Sequence, residues 1–471
     1  MRSDAMASPD TSLPVVDGLP RRLAIGWLSL GLCALGISSL FAVLLVMLRT
    51  PYLRDLFHRR ELFPATLVLH VDLAVLVWFL SLAGVLWSLL GDARLPRLGW
   101  TALGFAVVGA LGMVAALLLG VGHPLMSNYI PVLDGPVFLT GLGLLAAGCA
   151  LMVLRTLVLG PGLTTPAHRG GVLRFGAYCA AIAIAMAMFT LIRDYHGLPD
   201  VKMGREYFGR LFWGGGHLFQ FANTLLMLVT WLVLVGDIGA RVRVRRSVLI
   251  SLFGLEVAPV FLVVLVPALA DVNSDHYRFA FTQLMRWGIW PVAVIFMIFV
   301  LYALYRTERG AGPRPAGATL LRFSILLFCV GLVLGALIRT NDVMVPAHYH
   351  GTDGAVTLAF MGLTYHLLGR LGFATVPERA IRLQARLYGG GMLTLVAGLA
   401  WSGLYGVERK EAGSLQVFTN VQEFAGMLLM AAGAVVALVA TWYFLALVLP
   451  ALFPSLARHR AVPRTGHAPR S

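Results

Sequence analysis

The sequence predicts an all-α polytopic membrane protein with about twelve transmembrane helices. Of its 471 residues, 59% are hydrophobic and only 13% are charged, which is about half the charged share of a soluble domain. Apolar runs of about 20 residues, long enough to cross a bilayer as helices, follow one another along almost the whole chain. The connections between them are short, so they leave no room for a separate soluble domain.

The apolar runs divide the chain into an N-terminal tail over 1–23, a membrane domain over 24–450 and a basic C-terminal tail over 451–471. We see no convincing internal repeat, which disfavours a fold built from two similar halves. The predicted spans cover, in chain order, about 24–48, 63–91, 98–121, 131–159, 172–192, 207–236, 246–270, 279–305, 319–338, 345–370, 385–404 and 418–450.

Basic residues predict the orientation of these helices. The formal net charge is +15, but the arginines recur in short clusters between apolar runs and form no single patch. This pattern disfavours nucleic-acid binding and is typical of residues that set membrane topology. With both termini in the cytoplasm, most clusters lie on the inner side. We therefore expect a multi-pass protein of the cell inner (plasma) membrane, in contact with lipid, whose first span acts as an uncleaved signal.

Histidines recur at one predicted depth of the membrane. In this orientation the second, sixth and tenth spans all run from outside to inside. Near their outer ends these spans carry His70, His217, His348 and His350. The connection after the seventh span, with Asp275 and His276, opens on the same side. An ionisable side chain at membrane depth indicates a functional site, although a single such histidine is often an interhelical hydrogen-bond donor.

The pair His348 and His350 has a distinctive geometry. Each residue turns a helix by about 100°, so these two side chains point about 200° apart. They cannot ligate one metal from one face, but each can reach a different group on opposite sides of the helix. Neutral imidazole is a ligand for haem iron, copper and non-haem iron. The alternative is a pair of interface histidines at the helix end.

The order of these histidines resembles the catalytic subunit I of the haem-copper oxidase superfamily. The twelve-helix plan, a histidine early in helices two and six, ligands after helix seven and an H-x-H at helix ten form that family's pattern. The segments around His70 (LHVDL) and before His217 (FWGGGH) carry the resemblance. Their spacing and the short loops look closest to the nitric oxide reductase and c-haem-associated oxidase branches. The resemblance makes 24–450 a membrane catalytic domain.

The resemblance implies two haems and one non-haem metal. His70 and His350 would be the axial pair of a low-spin haem, and His348 would hold a high-spin haem. The non-haem metal, iron or copper, would bind to His217, Asp275 and His276. Arg339, at the outer end of span nine, is a candidate partner for haem carboxylates. With no C-x-x-C-H motif, electrons would come from another subunit, cytochrome c or quinol.

Two departures from the family pattern bear on the gaseous substrate. The family usually has His-His where this chain has Asp275-His276, and a carboxylate favours iron over copper(I). Dioxygen-reducing members carry a redox tyrosine, but Phe221 stands four residues after His217, and Tyr277 and Tyr349 are the nearest tyrosines considered. These departures slightly favour reduction of NO over reduction of dioxygen.

Three alternatives stay open at this stage. A dihaem quinol-linked cytochrome subunit also uses paired histidines, and a proton-coupled transporter also has twelve spans. The third is a superfamily member that has lost the non-haem metal and serves as a sensor or assembly factor.

Overall fold

The computed structural model of the chain describes residues 11–14, 17–50, 62–161, 170–198, 204–308, 315–410 and 418–453. Most of both predicted tails lies outside these residues. Within them, the predicted all-α fold is confirmed. A two-stranded antiparallel hairpin, β1 (His123–Leu125) and β2 (Val132–Asp134), lies in the connection after the third long helix.

Twelve long helical segments correspond to the twelve predicted spans. They are α1 (Gly18–Arg49), α2 (Leu62–Leu90), α3 (Pro96–Leu118), α4 (Pro136–Leu159), α5 (Gly171–His196), α6 (Arg205–Asp237), α7 (Arg246–Val264), α8 (Asp275–Glu308), α9 (Ala316–Leu337), α10 (Met344–Arg370), α11 (Glu378–Leu404) and α12 (Val421–Leu452). All except α10 are apolar enough throughout to be recognised as candidate membrane spans. The exception has a physical reason, since α10 begins with a polar segment that includes His348, His350 and Asp353.

Two helices depart locally from regular α-geometry. Within α2, residues Asp72–Val77 form a π-helix. This geometry is rare overall, but where it occurs it is often at a functional site. The second half of α7 includes a 3-10 helix over Ala258–Val264, with Pro259 near its start. Proline lacks the amide hydrogen that an α-helix requires and crowds the preceding turn, which accounts for the change of helix type.

Small residues let neighbouring helices approach closely. A side chain added at Gly398 of α11 would lie 2.2 Å from the backbone nitrogen of Met430 in α12. Gly331 of α9 and Gly351 of α10 are in similar contact, since a Cβ on Gly351 would lie 2.7 Å from the Gly331 Cα. Such packing is typical of membrane helices, where association relies on close van der Waals contact.

The helices α2 and α6 lie at the centre of the bundle. In the most apolar stretch of 18 residues, 83% of the residues of α2 and 89% of those of α6 are buried. The corresponding share is 39% for each of α1, α3 and α4. The central helices are the ones that carry His70 and His217. The fold therefore holds these imidazoles away from lipid.

Candidate functional site

Four histidines on three helices share one mode of anchoring. In each, Nδ1 lies within hydrogen-bond distance of a backbone carbonyl, which can only accept. Nδ1 therefore carries the proton, and Nε2 is the ring nitrogen with the lone pair. The carbonyls are Ser38 O for His70 (3.1 Å), Trp213 O for His217 (2.7 Å), Gly331 O for His348 (2.7 Å) and Pro346 O for His350 (2.7 Å).

The pair on α10 is anchored on two different sides. His348 donates to Gly331 on α9, and a Cβ on Gly335 one turn further along that helix would lie 2.7 Å from His348 Nδ1. His350 donates to the carbonyl of Pro346 in its own helix, and its ring stacks on Tyr349. The two rings, which were predicted to point in different directions, are therefore hydrogen-bonded to carbonyls of two different helices. Such an arrangement suits one metal-binding group on each side of α10.

His70 is held by α1 and stands just before the π-helix. Its Nδ1 is near both the hydroxyl (3.0 Å) and the carbonyl oxygen (3.1 Å) of Ser38. Asp72, the first residue of the π-helix, is completely buried, and neither of its carboxyl oxygens has a hydrogen-bond partner. Asp72 lines an apolar cavity of about 120 Å³ between α2, α4, α5 and α6.

His217 is surrounded by aromatic side chains and one hydroxyl. The ring centroids of Tyr129 and Trp213 each lie 4.9 Å from its imidazole, and that of Phe281 lies 6.4 Å away. Its Nε2 lies 3.3 Å from the Thr282 hydroxyl. Sequence reasoning missed Tyr129, since this residue lies in the connection after α3, far from His217 along the chain.

Tyr129 reaches His217 across a glycine. A Cβ on Gly216 would lie 2.1 Å from Cγ of Tyr129, so the phenol ring packs directly on the backbone of α6. Burial raises the pKa of the Tyr129 phenol, while Arg409 lowers it and Asp353 raises it further. Asp353 lies on α10, one turn beyond His350. Tyr129 therefore contacts His217 and lies close enough to Asp353 of α10 for the two groups to interact electrostatically.

The expected grouping of His217, Asp275 and His276 does not form. Asp275 and His276 lie exposed in the first turn of α8, and the Asp275 carboxylate pairs with Arg278. Thr282, which contacts His217, lies seven residues further along α8, a rise of about 10 Å. Across the described part of the chain, no three or more His, Cys, Asp or Glu side chains are placed to share a metal ion. The residues present therefore do not fit a non-haem metal.

Both tyrosines considered in the sequence have contacts away from His217. The Tyr277 hydroxyl donates to the buried Asp194 carboxylate at 2.6 Å, and Arg193 pairs with the same carboxylate at 2.7 Å. Tyr349 is 39% exposed and stacks on His350. The phenol next to His217 is that of Tyr129.

Four arginines line a polar cavity beside Trp213, which contacts His217. The cavity has a volume of about 360 Å³, and its cationic lining residues are Arg205, Arg210, Arg278 and Arg409. Next to Arg409, the Lys410 ammonium donates to the carbonyls of Met126 (3.0 Å) and Ser127 (3.1 Å). Burial, with added repulsion from Arg409 and Arg205, lowers the pKa of Lys410 to about 7.

The cations of this cavity were not predicted as functional residues. Arg339, the cation singled out from the sequence, is exposed in the connection between α9 and α10. Asn341, two residues later in the same connection, lines the cavity. A carboxylate-bearing ligand in this cavity would therefore lie close to several arginines. Arg339 is two residues before Asn341, one of the lining residues.

Comparison with solved structures shows the fold of this chain. The structure of a haem-copper terminal oxidase dimer matches it with a TM-score of 0.72 and 16% identity, over 93% of this chain and 85% of that one. At this identity the match establishes the fold alone. It does not distinguish the nitric oxide reductase branch from the oxidase branch.

Comparison of sequences gives relatives without an assigned activity. An uncharacterized protein of Rickettsia prowazekii (strain Madrid E) is 24% identical over 458 residues, covering 83% of this chain and 89% of its own length. An uncharacterized protein of Aquifex aeolicus (strain VF5) is 28% identical over 351 residues, covering 74% of this chain and 85% of its own length. No family model matches the sequence.

Proposed function

We propose that this chain is the haem-carrying subunit I of a membrane respiratory oxidoreductase that reduces NO or dioxygen. The observation that carries the proposal is the common anchoring of His70, His348 and His350 on helices of a haem-copper oxidase fold. Each imidazole is held through Nδ1, so Nε2 is the nitrogen with a lone pair, which is the form that a haem-ligating histidine needs.

In this proposal the histidines define two haem positions. His70 and His350 would hold a low-spin haem, and His348 would hold a high-spin haem on the other side of α10. The bound haems supply one-electron chemistry and an iron that binds a diatomic gas. The protein fixes the orientation of each imidazole, through Ser38 on α1, Gly331 on α9 and Pro346 within α10.

The outer cations would bind the carboxylates of the haems. Arg409 and Lys410 are partly buried and close together, and burial lowers the pKa of each. Burial of a cation without an anion is unfavourable, so a carboxylate beside them would be stabilised. Arg339 is a further candidate for this role. The electron donor would be another subunit, cytochrome c or quinol at the cell inner (plasma) membrane, with both termini of the chain in the cytoplasm.

The apolar cavity between α2, α4, α5 and α6 supports a small apolar substrate. It is lined by Gly216 and Tyr129, which are next to or in contact with His217. Cavities lined by aliphatic side chains stay dry and admit apolar ligands of the size of xenon or benzene. A diatomic gas dissolved in the membrane could therefore reach the neighbourhood of His217 from this side.

NO is the substrate favoured by the sequence, because Phe221 stands where a redox tyrosine is expected. Dioxygen is the second candidate, and the contact between Tyr129 and His217 is the observation that favours it. A phenol at this position could deliver a proton or an electron to bound dioxygen. We therefore retain both substrates within one proposed class of reaction.

Optical and gas-uptake measurements test the proposal. Purified protein should show one low-spin and one high-spin haem, with carbon monoxide binding to the latter. Formation of nitrous oxide from NO, with negligible dioxygen uptake, would support the favoured substrate, and the opposite rates would support dioxygen. A haem-free protein would contradict the proposal and favour the proton-coupled transporter.

A further inference from the structure

The surroundings of His217 disagree with a second metal. In the proposed function, the high-spin haem on His348 would be expected to share its chamber with a non-haem metal. The atom that would bind this metal is His217 Nε2, and its polar neighbour is the neutral hydroxyl of Thr282 at 3.3 Å. The other contacts of the ring are the aromatic side chains of Tyr129, Trp213 and Phe281.

A transition metal needs more donors than this pocket offers. Copper, iron and zinc sites in proteins use about three or four nitrogen, sulfur or carboxylate ligands at about 2.0–2.3 Å. Thr282 cannot replace an imidazole, and its hydroxyl also donates to the Arg278 carbonyl at 2.8 Å. Gln283, the next residue, accepts a hydrogen bond from Trp287 at 3.0 Å.

The distance to the predicted ligands makes the same point. Asp275 and His276 lie two helical turns before Thr282, about 10 Å along α8. The Asp275 side chain is 86% exposed and paired with Arg278. Among the described residues, neither side chain is placed with His217 to share a metal ion.

We infer that the chamber at His217 holds no second metal, so that a diatomic ligand would be bound by a single haem iron. This inference rests on the proposed function, because it needs a haem on His348. It separates this chain from enzymes that bind their gas between two metals. Any reduction of bound gas would then use electrons from the low-spin haem and protons from groups of the chain, with no metal-to-metal cooperation.

Metal analysis of the haem-loaded protein tests the inference. We expect iron equal to the haem content, with no additional iron or copper, in protein from cells grown with both metals and after later addition of each. The ferric high-spin haem should also give an electron paramagnetic resonance signal at full intensity, since no coupled metal broadens it. Copper or non-haem iron equimolar with the high-spin haem would overturn the inference while leaving the proposed function intact. Absence of haem would instead refute the proposed function.

Two substitutions at Thr282 sharpen this test. Thr282→His adds a nitrogen donor beside His217, and Thr282→Val removes the hydroxyl without adding a ligand. We expect no additional copper or iron in Thr282→Val, and any gain of bound metal only in Thr282→His. Equal metal content in the wild type and Thr282→His, at one additional metal per chain, would contradict the inference.

Discussion

At the scale of single residues, the proposed roles of His348 and His350 differ although the two residues lie within one helical turn. His348 would bind the high-spin haem, and His350 would bind the low-spin haem. Their rings are anchored to carbonyls of different helices, Gly331 on α9 and Pro346 on α10. Removal of one ring therefore leaves the anchor of the other in place. The two substitutions should have different spectroscopic consequences.

We predict that His348→Ala abolishes carbon monoxide binding while the low-spin haem is retained, and that His350→Ala removes the low-spin spectrum. Reduced-minus-oxidised and carbon monoxide difference spectra measure both effects. Tyr349→Phe serves as the control. Tyr349 lies between the two histidines in the sequence, and the variant keeps an aromatic ring stacked on His350, so it should retain both haems. If either alanine variant lost both haems equally in a folded protein, the assignment of the pair to separate haems would be wrong.

Lys410 gives a prediction on pH. Burial and the nearby Arg409 and Arg205 lower the pKa of Lys410 to about 7, against about 10.4 in an unfolded chain. Between these values the unfolded state binds more protons, so unfolding becomes less favourable as pH rises. Below about pH 7 the destabilisation by the buried charge is complete, and it disappears towards pH 10.

The comparison of wild type with Lys410→Met measures this effect in haem-free protein. The free energy or midpoint of unfolding of the wild type should rise relative to the variant between about pH 7 and 10, because the variant lacks the titrating group. A difference between the two proteins that stays constant over this range would contradict a lowered pKa. Haem binding should remove the effect, since a carboxylate partner would keep Lys410 charged.

At the scale of elements, α6 has a glycine at the point where the connection after α3 packs against it. Tyr129 packs where Gly216 lacks a side chain, and a Cβ there would lie 2.1 Å from the Tyr129 Cγ. No small shift of a side-chain end can relieve this contact, because the ring is trapped against Trp213 and His217. A glycine at position 216 is therefore required for Tyr129 to pack beside His217.

We predict that Gly216→Ala destabilises the protein by about 1–3 kcal/mol, the usual effect of overpacking, and displaces Tyr129. Gly209→Ala, in the same helix, is the matched control, since a Cβ at Gly209 meets nothing within 4 Å. The control should be neutral or stabilising by up to about 1 kcal/mol. Thermal unfolding in detergent compares the two, and equal stability of both variants would show that Tyr129 does not pack on Gly216.

The elements also show how far the sequence could predict the site. Apolar runs and the order of histidines predicted the helices and the candidate haem ligands, because helical periodicity is a local property. Tyr129 and Thr282 were not predicted, since their contacts with His217 depend on how separate segments pack. The π-helix at Asp72 and the cations Arg409 and Lys410 were missed for the same reason, as their significance arises only in three dimensions.

At the scale of the whole molecule, arginines tie helix ends together on the face predicted to be cytoplasmic. Arg21 at the start of α1 donates to the Leu371 carbonyl after α10 at 3.0 Å, and Arg174 in α5 donates to Leu159 at the end of α4 at 2.9 Å. Arg155 donates to the Asp92 carbonyl after α2 at 2.6 Å. Cations next to the carboxyl ends of helices are favoured by the helix dipole, so these arginines suit one common face.

We predict that this face is cytoplasmic and that both termini lie on it, because twelve crossings return the chain to its starting side and arginine-rich connections stay inside. Reporter fusions after residues 241 and 453 should be active as cytoplasmic reporters, and fusions in the connections at 120–122 and 405–408 should be active as external ones. Substitution of Arg21, Arg174 and Arg155 by Gln should lower stability without inverting the chain, since many other arginines keep the charge bias. Reporters at residues 241 and 453 on opposite sides of the membrane would contradict an even number of crossings between them, and with it the assignment of α10 as a membrane span.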